Sequence, residues 1–141
     1  MRESRELQAA RRLLAEAEAR LGVADGLASL AEGLALLEDL IAGGQSREAG
    51  TARNLAASYA SRIYARVGHV VARDAQVPEP ELEHYFKVVL AFDPLHAALP
   101  PAATELKIAV AKALIERYYE GHPVERKRAA LAELAQLSRP R

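Results

Sequence analysis

The sequence predicts an all-α fold, and three observations lead to this class. Every apolar stretch of the 141-residue chain follows the helical period, and none alternates with a period of two. Alanine, leucine, glutamate and arginine, which are strong helix formers, fill these stretches. Prolines and a pair of glycines mark places where helices would begin and end. We therefore expect about six helices in a single domain over residues 1–141.

The first two helices repeat the same apolar spacing. The stripe of the first helix is Leu7, Ala10, Leu14, Ala17 and Leu21, and the stripe of the second is Leu27, Leu30, Leu34, Leu37 and Ile41. A short connection that contains Gly22 and Gly26 separates them, and so short a connection makes two helices antiparallel neighbours. The pattern predicts helices over residues 3–21 and 26–42, which form a first hairpin over about 3–42.

A third helix is predicted from about residue 47 to residue 73, with Ser46 as its N-cap. One face of this helix is apolar and includes Ala56, Ile63 and Val67. A second face carries only small residues, namely Ser58, Ser61, Ala65, Gly68 and Ala72. Another helix can approach closely over such a face, and the alternative is that solvent covers it.

Prolines divide the rest of the chain into three more helices. The fourth follows Pro80 and has Leu82, Phe86, Val89 and Leu90 as its buried stripe, with Phe86 in the core. The fifth begins at Pro100-Pro101 and ends near Gly121, and the sixth begins after Pro123. We expect the second and third hairpins over about 47–92 and 101–137.

Two segments of this pattern resemble a known repeat. Asn54-Leu-Ala-Ala-Ser-Tyr59 resembles the first-helix signature of tetratricopeptide repeats, and the segment from Leu82 to Asp93-Pro94 resembles the second helix and its ending. The resemblance covers mainly residues 54–94, with longer helices than the family's period of about 34 residues. It implies stacked helical hairpins whose first helices line a groove for a partner peptide, which Arg53 and Asn54 would contact. The alternative architecture is a closed helical bundle.

Composition excludes several classes of function. The chain has no cysteine, which excludes a disulfide scaffold, a cysteine-ligated metal and a thiol nucleophile. Nineteen basic and nineteen acidic residues balance, so no net field attracts nucleic acid or an anionic membrane. The charged opening MRESRELQ and the absence of a long apolar run predict neither a signal peptide nor a membrane span. We expect a cytoplasmic protein.

No motif of the sequence indicates a metal, a cofactor or a catalytic residue. Glu81-Leu-Glu-His84 has the Glu-x-x-His spacing of di-iron bundles, but the chain contains a single copy. The four histidines share no metal-ligand spacing, and there is no phosphate loop or glycine-rich nucleotide turn. Catalytic groups that assemble only in space stay outside this argument.

A basic stripe on the third helix is the main candidate binding surface. Arg62, Arg66, His69 and Arg73 fall within about 60° of one another and roughly 100° from the apolar face. Arginine suits carboxylate recognition, so we expect this stripe to bind an acidic peptide segment. The alternative is a solvated face that pairs with acidic residues of neighbouring helices.

These observations favour a protein-interaction module that binds a peptide or helix of a partner protein. One alternative is a small helical-bundle enzyme or ligand-binding protein with an interhelical pocket. A weaker alternative is a regulatory nucleic-acid-binding protein. A homodimer is compatible with the sequence, and binding of nucleic acid or membrane is not expected.

Overall fold

The computed structural model describes residues 3–43, 47–73 and 77–137, and throughout these ranges the regular structure is helical, with no strand. The elements in chain order are α1 (Arg5–Ala19), α2 (Ala24–Ala42), α3 (Arg47–Arg73), α4 (Glu79–Leu90), a 3₁₀ helix (Asp93–Ala98), α5 (Pro101–Tyr118) and α6 (Val124–Leu137). The prediction of an all-α chain is confirmed. The expected cap at Ser46 lies outside the described residues.

Helices α1 and α2 make the most extensive pair in the fold. Ser4 caps α1, because its hydroxyl accepts a hydrogen bond from the Leu7 amide at 3.2 Å. Gly33 of α2 allows a close approach, since a Cβ there would lie 3.1 Å from the Leu14 side chain. The predicted stripes meet between the two helices, where these side chains are buried: Leu7, Ala10, Leu14, Ala17, Leu30, Leu34 and Leu37.

The long helix α3 is central and contacts α1, α2, α5 and the 3₁₀ helix. Its apolar face is buried as predicted, with Ala56, Ile63 and Val67 inaccessible to solvent. The small-residue face is divided between two environments. Gly68 faces α5, where its Cβ would lie 3.1 Å from Val110, whereas Ala65 and other members are exposed. A helix therefore approaches one edge of this face and solvent covers the other.

The buried face of α4 keeps half of the predicted stripe, since Leu82 and Val89 are buried. Tyr85 and Val88 are buried, whereas Phe86 is half-buried and Leu90 is 50% exposed. The phenylalanine in the core is Phe92, which comes after α4 has ended. The expectation that Phe86 and Leu90 are core residues is wrong, because α4 is rotated toward the side that carries Tyr85.

The contacts between helices follow a simple order along the chain. The odd-numbered helices touch in sequence, α1 with α3 and α3 with α5, and α2 touches α4. Helix α3 packs far more against α5 than against α4, its neighbour in sequence. Helix α6 packs mainly on α5, and none of its described residues is fully buried. Within the described ranges, no helix is both long enough and apolar enough to cross a membrane.

Candidate interaction surface of α3

Helix α3 exposes all six residues that the sequence selected, but it does not bring them all together. Arg62, Arg66, His69 and Arg73 are exposed and, at intervals of four, three and four residues, lie along one side of the helix. Arg53 and Asn54 are also exposed. Arg53 lies nine residues before Arg62, which is about half a turn away around the helix axis. Thus α3 groups four of the six residues.

Arg62 is engaged by a side chain of α1. Its Nε donates a hydrogen bond to Oε2 of Glu18 at 2.9 Å, and its Nη2 donates to Oε1 of the same carboxylate. The guanidinium also lies 4.5 Å from the centre of the Tyr59 ring. The hydrogen bond from Arg62 lowers the pKa of Glu18, and the same bond raises the pKa of Arg62. For Arg62, the alternative of a face paired with a neighbouring helix is the one that the geometry supports.

Arg66 contacts the backbone of Glu18, the residue whose side chain pairs with Arg62. Its Nη1 donates to the carbonyl oxygen of Glu18 at 3.1 Å, in the last turn of α1. That turn contains no basic residue of its own, so Arg66 supplies the positive charge that a helix C-terminus favours. Two arginines of the stripe therefore hold the end of α1.

His69 and Arg73 continue the stripe beyond this contact. Both are exposed, and neither forms an ion pair with another residue in the described part of the chain. Ala65 and Ala72, also exposed, lie beside them on the small-residue face. This half of the stripe presents basic side chains next to accessible backbone.

A shallow cleft lies on each side of α3. The first, of about 220 Å³, is lined by Glu18, Ala19, Leu21, Gly22, Arg66, Val67, Val70 and Tyr85. The second, of about 250 Å³, is lined by Val71, Ala72, Ala113, Glu116, Arg117 and Glu120. In the second cleft Arg117 Nη2 donates to the Val71 carbonyl at 2.8 Å, which joins the end of α5 to the end of α3. The exposed side of α3 thus runs between two clefts.

The Glu-x-x-His motif of α4 belongs to the packing of the fold. Glu81 Oε1 accepts a hydrogen bond from the Tyr85 hydroxyl at 2.9 Å. His84 Nε2 is buried and has no hydrogen-bond partner among the residues described. In the same part of the chain, no three His, Asp or Glu side chains gather into a group able to hold a metal ion.

The sequence did not predict one cluster of surface residues. The rings of Tyr118, Tyr119 and His122 lie within 5.0–5.8 Å of one another at the junction of α5 and α6. Phe86 of α4 packs against Tyr118, edge to face, with ring centres 6.0 Å apart. The signal in the sequence was the Tyr118-Tyr119 pair three residues before His122, but nothing in the sequence placed α4 beside this turn.

The chain matches no protein-family model, no curated protein and no solved structure. The resemblance to tetratricopeptide repeats stays a hypothesis.

Proposed function

We propose that this chain is a protein-interaction module that binds an acidic segment of a partner protein on the exposed side of α3. The observation that carries the proposal is the position of His69 and Arg73, exposed and without acidic partners among the described residues. Arginine recognises a carboxylate with two parallel hydrogen bonds, so Arg73 supplies the principal contact.

The neighbourhood of these two residues favours a chain segment as the ligand. Ala65 and Ala72 are small and exposed, so a peptide or helix can come close to the α3 backbone there. The cleft beside Val71 and Ala72 lies along the same edge and has a mixed lining, in which Glu116 and Glu120 on α5 would keep an acidic segment on the side of Arg73. Both clefts of α3 are smaller than the roughly 300–1,000 Å³ typical of ligand pockets, and this favours a binding surface over an enclosed site.

The other residues of the stripe contribute differently to binding. An acidic ligand at Arg62 has to compete with the Glu18 carboxylate, which already occupies the guanidinium. Arg66 keeps its bond to the Glu18 carbonyl and adds positive charge. We therefore expect Arg62 and Arg66 to contribute less to binding than Arg73. Arg53 and Asn54 would be reached only by a longer ligand that follows α3 toward its N-terminus.

A stacked arrangement of the tetratricopeptide type is part of this proposal. Its support is the order of contacts, in which α1, α3 and α5 touch in sequence and α2 touches α4. In such a stack the odd-numbered helices would form one layer, and the exposed side of α3 would lie in the middle of it. The closed bundle is the competing architecture. The proposal also includes a cytoplasmic location.

Capture of partner proteins by immobilised chain tests the proposal. Wild type is compared with Arg73→Glu and, as a matched control, with Arg12→Glu, which reverses an exposed charge on α1. We expect a protein that wild type and Arg12→Glu retain at low salt, and that Arg73→Glu loses by about tenfold or more. Retention should fall as salt rises, because screening weakens exposed charge pairs. A partner that Arg73→Glu retains as well as wild type would contradict the proposal.

A further inference from the structure

The surface cluster at the ends of α4 and α5 has the composition of a site for a cationic side chain. We propose that the rings of Tyr118, Tyr119 and His122, together with the carboxylates of Glu79 and Glu83, bind an arginine side chain of a partner protein. We call this set the aromatic corner. It is separate from the basic stripe of α3, and the proposal does not depend on the function proposed above.

The distribution of aromatic residues is the first argument. The chain has seven Phe and Tyr residues, and four of them are buried: Tyr59, Tyr64, Tyr85 and Phe92. The remaining three, which are Phe86, Tyr118 and Tyr119, all meet at this one place and are only half-buried. A cluster of aromatic rings that is only partly covered is more typical of binding surfaces than of cores.

The rings are held in fixed positions by the turn between α5 and α6. Gly121 has φ +84°, the only positive φ in the described chain, and this left-handed residue ends α5 and reverses the backbone. The amide of His122 donates to the carbonyl of Tyr119 at 3.0 Å. The His122 ring stacks on Tyr118 with an interplanar angle of 18° and a centroid distance of 5.8 Å.

Two carboxylates reach the same ring. Glu79 and Glu83 are one turn apart on α4 and both are exposed. The Tyr118 hydroxyl donates to Glu83 Oε1 at 3.0 Å. The hydrogen bond to Glu83, followed by the influence of the Glu79 carboxylate, raises the pKa of Tyr118 to about 12. The edge of the aromatic corner is therefore negatively charged.

Within residues 3–43, 47–73 and 77–137, no lysine or arginine side chain lies over the rings of Tyr118 and Tyr119. Among the described residues, the one arginine that lies over an aromatic ring is Arg62, which stacks on Tyr59. The four ion pairs of the same ranges include neither Glu79 nor Glu83. Glu83 also keeps a second carboxylate oxygen beyond the one that accepts from Tyr118.

The combination of rings and carboxylates selects arginine over lysine. A guanidinium is planar and weakly hydrated, so it can stack on a tyrosine ring while its N–H groups donate to carboxylates. An ammonium group is a compact, strongly hydrated charge and gains less from the ring faces. We therefore expect an arginine side chain to lie against the part of the Tyr118 and Tyr119 rings that His122 and Phe86 leave uncovered, and to donate to Glu79 and Glu83.

A titration with blocked amino acids tests this assignment. N-acetyl-arginine methylamide is added to the full chain labelled with ¹³C in its aromatic rings, and the matched probe is the citrulline analogue, which has the same shape without the charge. We expect Tyr118, Tyr119 and His122 to shift with a Kd in the millimolar range, since one side chain makes the whole contact. The citrulline analogue should bind about tenfold more weakly or worse, and the lysine analogue should lie between them.

Two variants separate a binding site from a purely structural cluster. Glu79→Gln with Glu83→Gln removes both charges but keeps an acceptor for the Tyr118 hydroxyl, and it should weaken arginine binding about tenfold. The control, Glu6→Gln with Glu16→Gln, removes two exposed charges from α1, one of them also in a first turn. Equal shifts with arginine and citrulline, unchanged binding by the α4 variant, or no shift up to about 50 mM arginine would each overturn the proposal.

Discussion

The guanidinium of Arg62 and the carboxylate of Glu18 form a two-point ion pair that joins α3 to α1 across 44 positions of the chain. The backbone carbonyl of the same Glu18 accepts from Arg66 at 3.1 Å. One residue at the end of α1 thus receives two arginines of α3. Arg62 and Arg66 of the basic stripe therefore hold α1 in place. Only His69 and Arg73, the second half of the stripe, stay exposed without such a contact among the described residues.

A double-mutant cycle over Arg62→Ala and Glu18→Ala should give a small coupling energy at neutral pH. Arg62 is 51% exposed and Glu18 17% exposed, so water screens the pair and we expect a coupling of about 0.2–1 kcal/mol. The free energy of unfolding in urea, measured for the four proteins, gives this value.

The same cycle should depend on pH in one direction. The pKa of Glu18 is lowered in the folded chain by its bond to Arg62. The ion pair therefore contributes to the free energy of unfolding above the ordinary glutamate pKa of about 4.3. This contribution is lost as the pH falls through the lowered pKa of Glu18. A coupling energy that stays unchanged at about pH 3 would show that the two side chains interact through packing and not through charge.

Tyr64→Phe should leave stability unchanged or raise it by about 1 kcal/mol. The Tyr64 side chain is fully buried, and its hydroxyl has no hydrogen-bond partner among the described residues. Burial, followed by the negative charge of Asp93, raises the pKa of this hydroxyl. A buried donor without a partner carries a desolvation cost, and phenylalanine removes that cost while it keeps the ring that packs on Phe92 at 5.3 Å.

Tyr85→Phe is the matched control for this substitution. Its hydroxyl donates to Glu81 at 2.9 Å, so its loss should cost about 0.5–1.5 kcal/mol in urea unfolding. If Tyr64→Phe destabilised the chain more than Tyr85→Phe does, the Tyr64 hydroxyl would have to form a hydrogen bond in solution.

Phe92→Ala should destabilise the chain far more than Phe86→Ala. Phe92 is fully buried against Tyr64, and removal of a buried phenylalanine costs about 3–5 kcal/mol. Phe86 is half-buried at the edge of the core and also contacts Tyr118, so we expect less than half of that cost. Urea unfolding of both variants decides the order, and equal losses would place Phe86 in the core as the sequence predicted.

Phe86 and Phe92 also show what the sequence could and could not predict. The helical period and the prolines located six helices to within a few residues, because both signals are local. The period predicted a stripe on α4 but not how far the helix is rotated against α2 and α5. That rotation depends on contacts from other helices, and it placed Tyr85 in the core in place of Phe86.

The candidate surface on α3 was likewise predictable from the sequence only in part. Exposure of Arg62, Arg66, His69 and Arg73 was predictable, because residues at this spacing lie on one side of a helix away from its apolar face. The contact with Glu18 was not, since it joins residues 44 positions apart whose approach depends on how α1 packs on α3. The aromatic corner needed the position of α4 beside α5 as well.

Gly26→Ala should destabilise the chain, whereas Gly50→Ala should stabilise it. Both glycines lie within helices, where alanine is favoured over glycine by about 0.5–1 kcal/mol. At Gly26 a Cβ would lie 1.9 Å from the backbone oxygen of Arg20, so the turn between α1 and α2 has to move, at a cost of about 1–3 kcal/mol. At Gly50 a Cβ meets no atom within 4 Å, and only the gain in helix propensity remains. Urea unfolding of the two variants should therefore give changes of opposite sign. A stabilising Gly26→Ala would mean that the Arg20 carbonyl does not lie this close to Gly26 in solution.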